Sequence, residues 1–403
     1  MVLLIRLAWR NIRRNTRRTI LAGLAIGVGL ASLIFTDALM IGMNESMVRT
    51  ATDTFLGHGQ IHAQDFRANM EIERTIVDLE AVVASLKREE GLRHFALRTQ
   101  AFAMLTSPAN VGAVALFGID AAGEMGVSKI DEAIVQGAYL QAGDRRMLIG
   151  SNLAQTLEVE PGDRVVVTVA QAESGELAQE MFRIGGVFHF NVREMDGRMA
   201  FIDLGRAQEL LGLEGRVHQI ALHFDAMERD MHFWQRYSQA GNEALGWRQL
   251  IPELDAVLGM SQYSMAFMEL ILFGVVALSV MNTLFMSFYE RLFEFGVLRA
   301  MGTRPARLAA LVLLEAAGLS LVSVLIGVAL GAAFTGWVAV TGIDYRGIEV
   351  GGVTFRELIY PVLSARQFIV FPLQVFIFAL IAGVYPAVYA ARLMPAAAMR
   401  ESF

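Results

Sequence analysis

The sequence predicts a four-span helical membrane protein with a large extracytoplasmic α+β domain inserted between the first and second spans. Three observations predict it. Hydrophobic residues make up 55 % of the 403 positions, more than an ordinary soluble protein of this length carries. The excess sits in four runs, 20–43, 265–288, 308–340 and 368–391, and each reaches the roughly 20 residues that a helix needs to cross about 30 Å of hydrocarbon. The stretch 44–262 has the composition of a soluble domain and the length to bury its own core.

In chain order, 1–19 comes first. On a helical wheel Leu4, Ile5, Ala8, Trp9 and Ile12 share one face, and Arg6, Arg10, Arg13, Arg14 and Arg17 the other. That is the pattern of an amphipathic helix lying in the headgroup layer on the cytoplasmic side. The first span, 20–43, fills a bilayer and lacks a cleavage-type small-residue site after it, so it reads as a retained anchor. The second span is 263–288. The connection 289–307 holds Arg291, Arg299, Arg304 and Arg307 against Glu290 and Glu294, which makes it cytoplasmic by the positive-inside rule. A third span, 308–340, a short extracytoplasmic connection of balanced charge, 341–367, a fourth span, 368–391, and a cytoplasmic tail, 392–403, complete the topology. Four spans then place 44–262 on the extracytoplasmic side.

The net charge of −6 divides unevenly. Lys and Arg number 19 against 31 Asp and Glu within 44–262, and 15 against 9 elsewhere. Cysteine is absent, which excludes disulfides, thiolate metal sites and cysteine nucleophiles. No phosphate loop of the G-x-x-x-x-G-K-[ST] kind occurs, and the two lysines, Lys87 and Lys129, both lie within 44–262. The chain is expected to be no enzyme.

Within 44–262, short apolar runs bounded by turn residues predict strands at 56–62, 114–120, 147–150, 164–170 and 182–190. Periodicity predicts helices at 78–89 and 204–213. Seven histidines invite a metal reading. His58 and His62 on one strand would stand about 13 Å apart, and His218 and His223 lack an acidic residue at zinc-protease spacing, so no metal is expected. No G-x-S-x-G elbow supports a hydrolase.

The segment 289–302 (YERLFEFGVLRAMG) spaces Glu290 and Glu294 at i,i+4, with Leu292, Phe295, Leu298 and Arg299 at helical intervals, and Gly302 and Pro305 then break it. A short helix with two acids, two arginines and an exposed Phe pair at the inner membrane surface suits docking into a protein groove. This segment resembles the coupling helix of ABC-transporter permeases of the FtsX/MacB/LolC-LolE type, closest in pattern to the lipoprotein-releasing LolC/LolE members. The tail at 385–400 (YPAVYAARLMPAAAMR) resembles the C-terminal end of that family, and 7–15 (LAWRNIRRN) its N-terminal helix. Within the domain, 57–62 (GHGQIH) and 150–163 (GSNLAQTLEVEPGD) resemble stretches of the family's periplasmic domain, which is divided into two subdomains.

The resemblance implies a permease driven by a separate cytoplasmic ATPase dimer, with ATP and Mg2+ bound on that partner and no cofactor on this chain. Carried over by motif, Glu290, Arg291, Glu294, Phe295, Gly296, Leu298, Arg299 and Gly302 form the ATPase-docking surface. It also implies a second permease, the same chain or a paralogue, and a lipoprotein or other lipid-anchored or amphipathic cargo among the membrane lipids. Nucleic acid is not expected as a partner. Met265, Met268, Leu272 and Val276 of the second span are candidates to line a cavity between paired permeases, methionine suiting adaptable contact with lipid chains. Lipoprotein-releasing members recruit a soluble carrier with a hairpin, and the matching 172–180 (AESGELAQE) is short and acidic, without proline or aromatic anchors. Two other roles of the same scaffold are a mechanotransmitter that activates a cell-wall hydrolase and an efflux subunit. Asp37, Glu269 and Glu315 lie near span ends, and Gly23-x-x-x-Gly27 and Gly327-x-x-x-Gly331 permit close helix contact.

Overall fold

The computed structural model describes residues 6–7, 10, 16–226, 229–350, 353–355 and 357–392. Most of the expected amphipathic helix at 1–19, and the tail at 392–403 beyond Arg392, lie outside the described residues. The chain forms two compact units. A membrane unit draws on 1–45, 258–345 and 357–403, and an inserted domain on 46–257 with 346–356.

Among the described residues four helices are long and apolar enough to cross a membrane: α1 (Thr16–Ala51), α6 (Pro252–Glu290), α8 (Pro305–Thr341) and α9 (Ala365–Ala391), with a short α7 (Leu292–Ala300) between α6 and α8. At 1.5 Å per residue, α1 and α6 run about 54 and 58 Å, well beyond the hydrocarbon layer. The sequence runs 20–43 and 265–288 are their apolar middles. Sequence chemistry sets the ends of the others. Pro305 occupies the first turn of α8, where its missing N–H costs nothing, and Gly342 ends that helix at φ +71°. Ser364 and Gln367 box the start of α9.

The core of the membrane unit follows a stripe along α6, Leu272, Val276, Val280, Leu284 and Phe288, all buried. The two glycine motifs meet each other. A Cβ on Gly327 would stand 2.8 Å from the Gly27 carbonyl oxygen, and one on Gly27 would stand 3.2 Å from the Gly327 nitrogen, so α1 and α8 approach backbone to backbone. Asp37 accepts a hydrogen bond from Gln367 Nε2 at 2.9 Å, which gives that span acid an internal partner.

Besides a two-stranded pair, Glu349–Val350 with Val353–Thr354, the inserted domain holds among the described residues a sheet of ten strands. They are β1 (Gly59–Ala63), β2 (Leu92–Thr106), β3 (Val111–Ile119), β4 (Ile134–Gly137), β5 (Arg146–Gly150), β6 (Arg164–Ala170), β7 (Leu177–Phe188), β8 (Met199–Asp203), β9 (Gln219–Phe224) and β10 (Asn242–Gly246). Part of the ladder closes on itself. β2 pairs with β3, β3 with β8, β8 with β5, β5 with β7, β7 with β6, and β6 with β2 again. Closure removes exposed edges, and the inward residues Leu105, Leu116, Ile149, Val167, Phe182 and Ile202 fill the interior. Helices α3 (Ser151–Leu157) and α4 (Leu204–Leu211) pack on that core. The first half of β2 joins instead an antiparallel sheet of β10, β1 and β9, which packs on α2 (Leu79–Leu86) and α5 (Met231–Tyr237) around a separate core. The one long strand thus serves two cores.

Candidate functional site

Between α6 and α7 the helix breaks at a single residue, Arg291, with φ −119° and ψ 22°. Gly302, at φ +89°, turns the chain after α7, and the Gly302 and Thr303 N–H groups return to the Arg299 and Leu298 carbonyls. The segment is therefore a short helix held between two sharp joints. Its exposed side presents Glu290, Phe293, Glu294 and, just past the helix, Met301; Phe293 is 52 % and Met301 71 % exposed.

The opposite side is packed. Arg291 is buried and donates from Nε to Glu294 and from Nη1 to Glu315 of α8, each at 2.8 Å. Burial works against its charge, but these two carboxylates outweigh burial and hold the guanidinium above its usual range. It also lies over the Phe295 ring at 4.9 Å. Phe295, 1 % exposed, stacks on Phe288 at 5.5 Å, and Phe288 meets Tyr389 of α9 edge-on at 5.5 Å.

Of the eight expected docking residues, Glu290, Glu294 and Gly302 are exposed, and Leu298 and Arg299 are half-buried. Arg291, Phe295 and Gly296 are instead buried, Arg291 against Glu315 of α8 and Phe295 against Phe288. The expected pair of exposed phenylalanines is therefore one, Phe293. Met301 is an exposed apolar residue that sequence reasoning did not single out; its signal was an apolar residue on the charged side of the wheel. In the second span, Met268 is exposed, Met265 is half-buried, and Leu272 and Val276 belong to the core of this chain. A Cβ on Gly29 would strike Leu272 at 2.4 Å, so Leu272 fills the groove that Gly29 leaves in α1. Leu272 and Val276 thus face the packed interior of this chain, while Phe267, Ile271 and Leu278 are exposed.

Two constellations in the inserted domain carry chemically suggestive residues. Asp53, His58 and His223 bring ligand-type atoms within 4.8 Å of one another. The hydrogen bonding opposes a metal there. The Phe224 N–H donates to His58 Nδ1 at 3.1 Å, so the neutral ring carries its proton on Nε2, the atom that faces Asp53 at 3.8 Å. The His58 and His223 rings also lie stacked, 4.1 Å apart and 29° from parallel, so their lone pairs run side by side. Ser151, His189 and Asp196 resemble a hydrolytic triad only by composition. Ser151 Oγ and Asp196 Oδ2 approach the same nitrogen, His189 Nδ1, at 2.9 and 3.0 Å. A relay needs the acid and the hydroxyl on opposite ring nitrogens.

The expected connection 172–180 is a tight turn after β6, closed by the Gln171 N–H to the Glu176 carbonyl, with 177–180 already in β7.

A family model described as the FtsX-like permease C-terminal matches residues 266–395, and one described as the MacB-like periplasmic core domain matches residues 19–229. The chain is 24 % identical over 400 residues to the lipoprotein-releasing system transmembrane protein LolC of Xylella fastidiosa, covering 94 % of this chain and 92 % of that one. With an ABC transporter permease of Methanocaldococcus jannaschii it shares 23 % over 279 residues, 66 % of this chain and 65 % of the other. The solved periplasmic region of MacB from Actinobacillus actinomycetemcomitans is 10 % identical and covers 51 % of this chain and 92 % of its own, with a TM-score of 0.34. The extracellular domain of the transporter YknZ from Gram-positive bacteria is 12 % identical, covering 47 % of this chain and 99 % of its own, with a TM-score of 0.32. The chain belongs to the ABC-transporter permeases that join a MacB-like periplasmic core domain to an FtsX-like permease C-terminal.

Proposed function

We propose that this chain is a permease subunit of an ATP-driven system that releases lipoproteins, or other lipid-anchored cargo, from a bacterial inner membrane. A separate ATPase dimer binds ATP and Mg2+ in the cytoplasm, and a second permease completes the membrane part. The observation that carries the cargo is the similarity to LolC, which runs nearly end to end in both chains, whereas the archaeal permease aligns over about two thirds of each. The short acidic turn after β6 offers no aromatic anchor, which supports assigning recruitment of a soluble carrier to the companion permease.

Affinity purification of the tagged chain in mild detergent, with mass spectrometry of bound proteins and lipids, tests this reading. An ATPase, a second permease and a lipoprotein are expected. An ATPase with a cell-wall hydrolase and no lipid-anchored cargo would make the chain a mechanotransmitter, and an adaptor with an outer-membrane channel would make it an efflux subunit. Absence of any ATPase would overturn the role given to α7.

A further inference from the structure

We infer that the Arg291–Glu315 ion pair is a strut that binds α7 to α8, so that a push on α7 is delivered into the third span. This rests on α7 being the segment the ATPase moves. The backbone alone would deliver little. Arg291 is a one-residue break from α6, and the link to α8 turns at Gly302 with φ +89°, so α7 is jointed at both ends.

Arg291 closes that gap with side-chain bonds. Its Nε holds Glu294 on α7 itself, and its Nη1 holds Glu315 on α8, 24 positions along the chain. Both members of the long-range pair are nearly buried, at 9 and 8 % side-chain exposure, where charge–charge attraction is stronger than in water. A planar guanidinium can grip two carboxylates at fixed angles, which an ammonium cannot. The geometry also says where the push goes next. Gly327 lies twelve positions beyond Glu315, about 18 Å along α8, and there α8 meets α1 backbone to backbone. The backbone atoms of that contact, the Gly27 carbonyl and the Gly327 nitrogen, cannot yield by a rotamer change, so displacement of α8 displaces α1. Arg291 and Glu315 are on this view positioning residues, and the chemistry of ATP stays on the partner.

The chain contains no cysteine, so paired spin labels can be placed without a background. With labels at Ala300→Cys on α7 and Leu325→Cys on α8, the full chain is purified with its own ATPase into nanodiscs and the distance is read by pulsed EPR. The parent is expected to give one narrow distance, the same without nucleotide and with a non-hydrolysable ATP analogue. Glu315→Gln is expected to lose that single narrow distance and to gain a nucleotide-dependent shift, while still co-purifying with the ATPase. The exchanged pair Arg291→Glu with Glu315→Arg is expected to restore the parent distribution, a rescue that a simple packing role would not produce.

The strut is overturned if Glu315→Gln stays as narrow and nucleotide-independent as the parent, or if the parent distance itself shifts with nucleotide. Should Glu315→Gln fail to give monodisperse protein, Arg291→Lys, which keeps the charge and loses the two-pronged grip, takes its place with the same expected outcomes. Failure of any ATPase to co-purify would count against the permease reading alone, because the nucleotide-free comparison of parent and variant still decides the strut.

Discussion

His62 shows how far a single residue's behaviour depends on its fold. It is buried beside β1's neighbours, with Nε2 at 2.9 Å from Gln60 Oε1 and the ring stacked on Phe66 at 5.8 Å. Burial, helped by the charge of Arg67, pushes its pKa down from 6.5 to about 3. The folded chain therefore refuses a proton that the unfolded chain accepts below about pH 6.5. Between that value and about pH 3, stability falls with falling pH by about 1.4 kcal/mol per unit from this group alone. Above that window it contributes no slope. Hydrogen exchange of β1 peptides in the detergent-solubilised chain should show protection lost across this window, and His62→Gln should flatten the loss. His218 and His223 are shifted in the same direction, chiefly by burial, so the variant removes a share of the slope. None of this was legible in the sequence, where His62 is one of seven histidines. The same holds for Arg98, fully buried against Glu124 and over the Phe55 ring at 3.9 Å. Nothing local distinguishes it from other arginines, because its environment is assembled from distant elements.

Elements were more legible than residues, since local periodicity and turn chemistry specify them. The runs at 164–170 and 147–150 become β6 and β5 almost residue for residue, and 204–213 becomes α4. The strands not foreseen, β2, β4, β8, β9 and β10, are short, carry charges or lie beside helical patterns, and the ladder rather than local propensity makes them strands. Closure of six strands into a ring has no local signature at all. The glycine motifs were legible as close contacts, but which helices they joined was decided by packing. That contact makes a prediction. Gly327→Leu must push against the Gly27 carbonyl, which is backbone and cannot rotate away, and overpacking of this kind costs about 1–3 kcal/mol or more. Gly336, on the same helix, has nothing within 4 Å of an added Cβ. Thermal unfolding of the purified chain should therefore show a marked drop for Gly327→Leu and little change for Gly336→Leu. Equal drops would mean that the α1–α8 contact contributes no stability.

At the scale of the whole molecule, the chain divides into a unit of helices and an inserted domain whose compositions already differ in the sequence, and the partner of each must be read on its own surface. For the membrane unit the question is which face of the α7 segment a cytoplasmic ATPase would grip. Motif resemblance spread that face over eight positions. Burial withdraws Arg291, Phe295 and Gly296 from it and adds Phe293 and Met301, leaving two apolar side chains rimmed by Glu290 and Glu294. An apolar centre with a charged rim is the arrangement in which a few anchors carry most of the binding energy, each worth about 2 kcal/mol or more on truncation. Phe293→Ala combined with Met301→Ala should then weaken ATPase association by at least about 100-fold, since every 1.4 kcal/mol is about tenfold in affinity. Both side chains project from the packed core, so the double variant should keep the thermal stability of the parent. Binding of the purified partner ATPase to chain in nanodiscs, measured alongside a melt, separates the two effects. Undiminished binding would relocate the docking surface, with Arg304 and Arg307, both exposed, the next residues to test. A loss of binding together with a lower melting temperature would show that Phe293 or Met301 supports the fold of the segment itself.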